Sequence, residues 1–255
     1  MKILSLSSGS KGNAYIVEHE GDALLIDCGI GPRIFKQRIA PFFPSAIRFH
    51  GVLITHNHSD HTSGLQAFLK SNPEVPVYAN ELTAESTGFE TGVAPSAFVC
   101  FENGQDFCAG PFRVEAFSLP HDASDPVGFL VEADEIYLHA TDFGVPVKAA
   151  GTRLSKADVA TVEFNHEPEL LYASGRHQSL IRRISGPRGH LSNNDAASFI
   201  KEYASEKLKR VALAHLSQDC NAPHLALSAA QQALSSVSLG HIPVKVFSQN
   251  EALQL

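Results

Sequence analysis

The 255-residue sequence lacks several features that would place it at once in a broad class of protein. Its net charge of −7 shows no basic excess, which argues against a protein that coats nucleic acid without selectivity. No apolar run approaches the ~20 residues of a membrane-spanning helix, so no membrane partner is expected. Residues 1–6 are too short an apolar stretch for a signal peptide and predict the first strand instead. Internal repeats and long linkers are also missing, and residues 1–255 are predicted to form a single domain.

Cysteine is scarce as well. The four cysteines have neither a C-x-x-C pair nor the spacing of a disulfide framework: Cys28, Cys100, Cys108 and Cys220. Such a pattern is typical of reduced thiols, which predicts a cytosolic protein. Cys28 and Cys220 lie near candidate metal-site residues in the sequence, but a small buried residue is the simpler interpretation of each.

Histidine, by contrast, is abundant, and three of the thirteen histidines fall in one six-residue segment, His56-Asn57-His58-Ser59-Asp60-His61. The segment follows an apolar run at 51–55 that predicts a buried strand. Neutral imidazoles and carboxylates are the ligands that zinc and similar metals prefer. Four such groups in six positions cannot all turn toward one ion. The spacing therefore predicts a split, with His56 and His58 on one ion and Asp60 and His61 on its neighbour.

Four later segments carry a histidine or an aspartate next to an apolar strand or before a helix. Their candidate residues are His121, Asp142, His190 and His215. Functional groups often gather at strand ends, because the sheet holds them rigidly while the loops leave them open. Any one of these segments alone would be weak evidence, but together, in this order after the six-residue loop, they form a specific pattern.

The apolar runs predict strands that alternate with helices on either side of a β-rich centre. The first third predicts a hairpin at 14–18 and 23–26, a helix after Pro32 and a helix over 62–70. The middle third, 75–139, is predicted to be mostly β. The last third predicts helices over 193–208 and 225–234 and strands at 210–214 and 243–247. This pattern indicates packed sheets covered by helices.

Together these motifs resemble those of the metallo-β-lactamase superfamily, and the resemblance extends from residue 7 to about residue 223. More local segments are similar to the YycJ (WalJ) subgroup, which is related to tRNase Z and to the PhnP phosphodiesterases. They are residues 6–13, 27–29, 120–123, 163–167, 189–193 and 214–217. The resemblance implies an α/β fold, a four-layer αββα sandwich with two metal ions in the cleft between its sheets. It also implies phosphodiester hydrolysis and, for this subgroup, an exonuclease acting on DNA.

Carried onto this chain, the resemblance implies a role for each motif residue. His56, His58 and His121 would bind the first metal, and Asp60, His61 and His215 the second. Asp142 would bridge the two ions. His190 matches a histidine that relatives use as a proton donor or transition-state clamp. The candidate catalytic residues are His190 and the metal-binding Asp60. Residues 175–179 lack an expected Tyr-Pro pair, which leaves the substrate-facing edge less defined.

The two ions would explain the expected reaction. A hydroxide held between divalent ions ~3.5–4 Å apart would attack phosphorus in line with the leaving oxygen. Zn²⁺, Mn²⁺ and Fe²⁺ all accept histidine and aspartate ligands, so the sequence leaves the native metal open, with Zn²⁺ or Mn²⁺ expected.

A basic stretch precedes His190. Residues 170–194 contain four arginines and no acidic residue. Arg182, Arg183 and Arg188 are candidate substrate-binding residues, because guanidinium groups suit phosphate oxygens. A solvated surface loop is the alternative interpretation. His166 is also a candidate substrate-binding residue, but it would equally serve to orient a metal ligand or to make a structural hydrogen bond.

Several alternative functions stay open at this point. The same chemistry would act on a small cyclic or nucleotide diester, since the chain carries no long basic arm. A lactamase- or glyoxalase-like hydrolase of amide or thioester bonds is a different enzyme class. A diiron redox member of the fold would usually carry carboxylates where this chain has histidines. Among nucleic acids DNA is preferred over RNA, and a homodimer that supplies a second basic surface is a further option.

Overall fold

The computed structural model describes residues 1–45 and 47–255. Within these residues the strands form two mixed seven-stranded sheets. The first sheet, in the order β14-β1-β2-β3-β4-β5-β6, contains β1 (Lys2–Ser7), β2 (Ala14–His19), β3 (Asp22–Ile26), β4 (Arg48–Leu53), β5 (Val77–Ala79), β6 (Phe98–Cys100) and β14 (Leu253–Gln254). The second sheet, in the order β13-β12-β11-β10-β9-β8-β7, contains β7 (Asp106–Ala109), β8 (Phe112–Ser118), β9 (Val127–Glu132), β10 (Ile136–Ala140), β11 (Val159–Glu163), β12 (Arg210–Ala214) and β13 (Val244–Val246).

The described helices lie between these strands in the chain. They are α1 (Pro32–Ile39), α2 (Ser59–Thr62), α3 (Leu65–Ser71), α4 (Glu81–Thr91), α5 (Lys148–Leu154), α6 (Pro168–Ala173), α7 (Gln178–Ile184), α8 (Asn193–Tyr203) and α9 (Pro223–Ser236), with a short 3₁₀ turn at Pro95–Ala97. In the part of the chain that the structure covers, none of them is long and apolar enough to cross a membrane.

Each sheet is buried on both faces, which explains the layer order. In β3, Leu24 and Ile26 point into a core between the sheets, whereas Leu25 points into a core shared with α1, α3 and α4. In the second sheet, Leu138 and Val162 face α5, α8 and α9 in a third core. Because side chains alternate along a strand, a sheet with apolar residues at successive positions must be covered on both sides. The predicted αββα arrangement is confirmed.

Most predicted elements are present, but some differ from the prediction in extent. The hairpin of β2 and β3 and the helix after Pro32 are confirmed, and the Ser192 hydroxyl caps α8 by accepting the backbone N–H of Asp195. The helix predicted over 62–70 is divided into α2 and α3 near Gly64, where a β-carbon would lie 2.0 Å from a backbone oxygen of Ile30. The middle third, predicted to be mostly β, also contains the eleven-residue helix α4. The helix predicted over 193–208 ends earlier, at Tyr203.

The strand directions bring the functional loops to one edge. Strands β1 and β3 are both antiparallel to β2 and therefore parallel to each other, and β4 is parallel to β3. In the second sheet, β10, β11, β12 and β13 are parallel. The loops that follow these strands meet at the carboxyl ends, and this edge carries the histidines and aspartates.

Candidate metal centre

Three residues at this edge have an unusual backbone conformation. Asp27, Asp142 and His215 each follow the end of a strand and have φ values of 56°, 61° and 55°. Left-handed conformations cost non-glycine residues of order 1 kcal/mol and collect at functional sites. The strands therefore hold these side chains in strained positions, which is itself an indication of a site.

The structure brings the predicted ligands into one cluster. The ligand atoms of each of four groups lie within 4.8 Å of one another. These groups are His56 with His58 and His121; Asp60 with His61 and His215; His56 with His61 and Asp142; and Asp142 with Glu163, His190 and His215. Asp142 thus lies between the first two groups. The assignment of each side chain to a particular ion stays a prediction.

Hydrogen bonds on the outer side of the cluster orient the imidazoles. The Nδ1 atom of His61 lies 2.7 Å from a carboxylate oxygen of Asp27, and Nδ1 of His121 lies 2.9 Å from the carbonyl oxygen of Gly189. Both partners are acceptors, so each Nδ1 carries the proton and donates it. The lone pair is then on Nε2, which is the arrangement that metal-binding histidines usually show.

Unpaired polar atoms point into the same space. Oδ2 of Asp142 and Nε2 of His215 are buried and have no hydrogen-bond partner among the described residues. Oδ2 of Asp60 lies 3.5 Å from Nε2 of His61 and 3.7 Å from Nε2 of His215. Buried polar groups without partners are costly, and a divalent cation would satisfy both Oδ2 of Asp142 and Nε2 of His215. The residues therefore fit a metal centre.

The charges within the cluster favour the ionised form of its Asp142 carboxyl. Burial raises the pKa of the Asp142 carboxyl, but the nearby charges of His215 and His61 outweigh burial and hold this pKa well below its usual range. Burial also lowers the pKa of His215, yet the nearby negative charge of Asp142 outweighs burial and raises this pKa to about 10. The carboxylate of Asp142 is thus ionised and available as a ligand.

Known proteins match this chain over most of its length. A family model described as a beta-lactamase superfamily domain matches residues 23–216. The chain belongs to the metallo-β-lactamase superfamily. Exodeoxyribonuclease YycJ of Bacillus anthracis is 32% identical, with 92% of this chain and 89% of that protein covered. Exodeoxyribonuclease WalJ of Streptococcus pneumoniae is 30% identical, with 92% and 88% covered. The predicted resemblance is confirmed.

Solved structures support the same fold. Zn²⁺-bound PqqB from Methylobacterium extorquens superposes with a TM-score of 0.74 at 16% identity, and the match covers 100% of this chain and 99% of that one. At this level of identity the similarity shows the metallo-β-lactamase fold and no more.

His190 lies between His121 and His215 in the cluster of predicted ligands. Its ring centroid is 5.0 Å from that of His121 and 5.2 Å from that of His215. Its Nδ1 atom lies 2.8 Å from Oε1 of Glu163, so that nitrogen donates to the carboxylate. The His190 side chain is 18% exposed, whereas the predicted ligand His215 is 2% exposed. The His190 side chain is therefore more accessible than that of His215.

Glu163 and Asp27 belong to the site but are not among the residues predicted from the sequence. Glu163 is fully buried, and its Oε2 accepts the backbone N–H groups of Phe143 and Leu191 at 3.0 and 3.2 Å. Asp27 accepts the backbone N–H of Thr55 at 2.9 Å. Both are acids at the end of a buried strand, and this is the same signal that singles out Asp142. An acid in that position therefore marks orienting residues as well as ligands.

The predicted substrate-binding residues differ in their position relative to the ligand cluster and in their hydrogen bonds. Arg188 donates from Nε to the carbonyl oxygen of His121 at 3.1 Å, and Arg183 pairs with Asp122, with Nη2 3.2 Å from Oδ1. Both arginines therefore lie at the His121 end of the cluster. The Arg182 side chain is exposed on α7 and makes no hydrogen bond to the described residues. His166 is 3% exposed, and its Nδ1 has no partner in the described part of the chain.

Proposed function

We propose that this protein is a DNA exonuclease that hydrolyses phosphodiesters with the help of two divalent metal ions. It is a metal-dependent hydrolase, as its relatives are, and the relatives from Bacillus anthracis and Streptococcus pneumoniae are named exodeoxyribonucleases. One observation carries the proposal: the His190–Glu163 pair lies beside two groups of ligand atoms that meet at Asp142. This arrangement combines metal ligands with a proton donor in one cleft.

The proposed ligand sets follow from the cluster. His56, His58 and His121 would hold one ion, while the second would be held by Asp60, His61 and His215, with Asp142 shared. When bound, such ions lower the pKa of water and neutralise charge on phosphoryl oxygens. Zn²⁺ or Mn²⁺ suits this set of nitrogen and oxygen ligands, and Fe²⁺ is also compatible with it.

His190 would act as the general acid. Because its Nδ1 proton is donated to Glu163, Nε2 is the nitrogen left for the substrate. The imidazolium form of His190, with a proton on Nε2, is the form that can give a proton to a leaving alkoxide. A positioned proton donor of this kind contributes ~10²–10⁴-fold in rate. His190 would thus promote departure of the sugar oxygen.

The arginines support a polyanionic substrate. Arg183 and Arg188 lie at the His121 end, where they would bind phosphates on one side of the scissile bond. Arg183 is already paired with Asp122, so phosphate would have to compete for part of its guanidinium. That pairing, together with the acidic net charge of −7, is the observation that favours a small nucleotide or cyclic diester as the second candidate substrate.

The test compares substrates on protein reloaded with Mn²⁺ or Zn²⁺ after stripping. End-labelled single- and double-stranded DNA and RNA are compared with bis-p-nitrophenyl phosphate. We expect stepwise loss of nucleotides from one end of DNA, and loss of that activity in His190→Ala with the bound metal retained. Turnover of the small diester alone would contradict the exonuclease assignment. Loss of metal from His190→Ala, measured by elemental analysis, would contradict the role given to His190.

A further inference from the structure

A cavity lies beside His215, outside the cluster of metal ligands. Its volume is about 310 Å³, and it lies between the loop after β1 and the ends of β12 and β13. Its apolar lining includes Leu216, Val246 and Phe247, and its polar lining includes Ser217, Gln218 and Asn250. The cavity therefore opens at the same edge of the sheets as the metal cluster.

The cavity is next to the cluster, and one residue of its lining is hydrogen-bonded to the backbone of a residue in the cluster. Ser8 lines it, and the Ser8 hydroxyl accepts the backbone N–H of His215 at 2.7 Å. The rings of His121, His190 and His215 form a row with spacings of 5.0 and 5.2 Å. At one end of this row, Arg188 donates a hydrogen bond to the backbone carbonyl of His121. The cavity lies at the other end, beside His215. A substrate centred on His190 would reach the arginines on one side and the cavity on the other.

The lining indicates a neutral occupant. Among the residues that the structure describes, the cavity is lined by no charged side chain, in contrast to the arginine side. The side-chain amides of Gln218 and Asn250 make no hydrogen bond to described residues, so their donors and acceptors are available. A ring with apolar faces and a polar edge matches apolar walls with amides at the rim. Small-ligand pockets span about 300–1,000 Å³, so this volume suits one ring system and not a longer segment of strand.

We propose that this cavity binds the nucleobase of the terminal nucleotide, while the arginine side binds the phosphates of the remaining strand. The inference rests on the proposed phosphodiesterase function and adds a subsite to it. A cavity that accommodates one base explains why cleavage would release nucleotides from an end. It also fixes the direction in which the strand crosses the metal centre, from the arginines past His190 to the cavity.

The test measures binding without hydrolysis. Deoxyadenosine, thymidine and free deoxyribose are titrated into metal-free protein and followed by saturation-transfer NMR. Gln218→Trp places an indole at the cavity rim, and Gln231→Trp makes the same change at an exposed position of α9. We expect both nucleosides to bind the wild type and Gln231→Trp, deoxyribose not to bind, and Gln218→Trp to bind nucleosides at least about tenfold more weakly.

A second measurement links the cavity to catalysis. With metal restored, we expect Gln218→Trp to lower the ratio of kcat/KM on oligodeoxynucleotide to kcat/KM on bis-p-nitrophenyl phosphate, and Gln231→Trp to keep the wild-type ratio. Asn250→Trp fills the opposite side of the rim and replaces Gln218→Trp if that variant does not fold, as judged by circular dichroism.

The outcomes separate the two proposals. The cavity assignment is overturned if the wild type binds nucleosides no more strongly than deoxyribose. It is also overturned if the rim variants bind nucleosides as strongly as the wild type does. Failure of the wild type to hydrolyse any diester overturns the proposed function, whatever the binding result. If the wild type hydrolyses diesters but a rim variant keeps the wild-type ratio of kcat/KM on oligodeoxynucleotide to kcat/KM on bis-p-nitrophenyl phosphate, the assignment of the cavity is also overturned.

Discussion

Glu163→Gln is the change that probes the chemistry of the site most directly. Glutamine has the size of glutamate but offers one acceptor oxygen in place of two. Oε2 of Glu163 accepts the N–H groups of Phe143 and Leu191, so the amide oxygen should take that position. The amide nitrogen would then face Nδ1 of His190, which lies 2.8 Å from Oε1. A donor in that position reverses the hydrogen bond.

The reversal has a calculable consequence. An Nδ1 atom that must accept a hydrogen bond moves the neutral ring's proton to Nε2, and the imidazolium loses its carboxylate partner. If His190 contributes ~10²–10⁴-fold as general acid, its loss corresponds to about 2.7–5.4 kcal/mol of transition-state stabilisation. The Nδ1 atom of His215 lies 3.2 Å from the same oxygen, so metal affinity should also fall, by about 10–100-fold.

The assay uses two leaving groups. p-Nitrophenolate departs without a proton, whereas the sugar alkoxide of DNA needs one. With metal concentrations high enough to saturate the variant, Glu163→Gln should therefore lose much more kcat on DNA than on bis-p-nitrophenyl phosphate. Glu132→Gln, at an exposed position on β9, is the matched control and should keep both rates. An equal loss on both substrates at saturating metal would refute the proton-donor reasoning and indicate a general loss of site structure.

Three further predictions address other parts of the molecule. Asp142→Ala should abolish stoichiometric binding of both metals, because it removes the shared carboxylate; elemental analysis that still finds two ions per chain would contradict that role. Arg183→Ala should raise KM for DNA and lower the slope of log KM against log salt by about one unit. Arg182→Ala, which removes the exposed charge one position earlier on α7, should do less. The two exposed thiols, Cys100 and Cys108, should react with Ellman's reagent at pH 8. The two buried thiols should react only after denaturation: Cys28, whose pKa burial raises to about 12, and Cys220. Rapid reaction of four thiols per chain in the native protein would be inconsistent with the packing.

The sequence predicted the layers and the ligand cluster because both depend on strong local signals. Long apolar runs mark strands that are buried on both faces, and three histidines with an aspartate within six positions bring several metal ligands into one loop. Helix α4 was missed because its buried residues, Thr83, Ala84 and Thr87, are small or polar and leave no apolar stripe at helical spacing. Its cap at Asn80, which accepts the backbone N–H of Thr83, was a readable signal.

The orienting acids were harder to predict from sequence for a different reason. Whether an acid after a strand contacts a metal or a histidine depends on which neighbouring strand supplies the imidazole. Glu163 at the end of β11 meets His190 and His215, which lie 27 and 52 positions further along the chain. Such pairings are set by sheet order, and one sequence does not specify the order in detail.

The three strained strand-end residues imply a conflict between stability and function in this chain. Asp27, Asp142 and His215 hold left-handed backbone conformations that glycine would adopt at lower cost. Glycine at any of the three would relax the backbone by of order 1 kcal/mol, but it would delete the side chain that the strain serves to position. The protein therefore forgoes part of its folding free energy at the carboxyl edge of its sheets, and metal loading, by stabilising the folded state alone, is the natural means of recovering it.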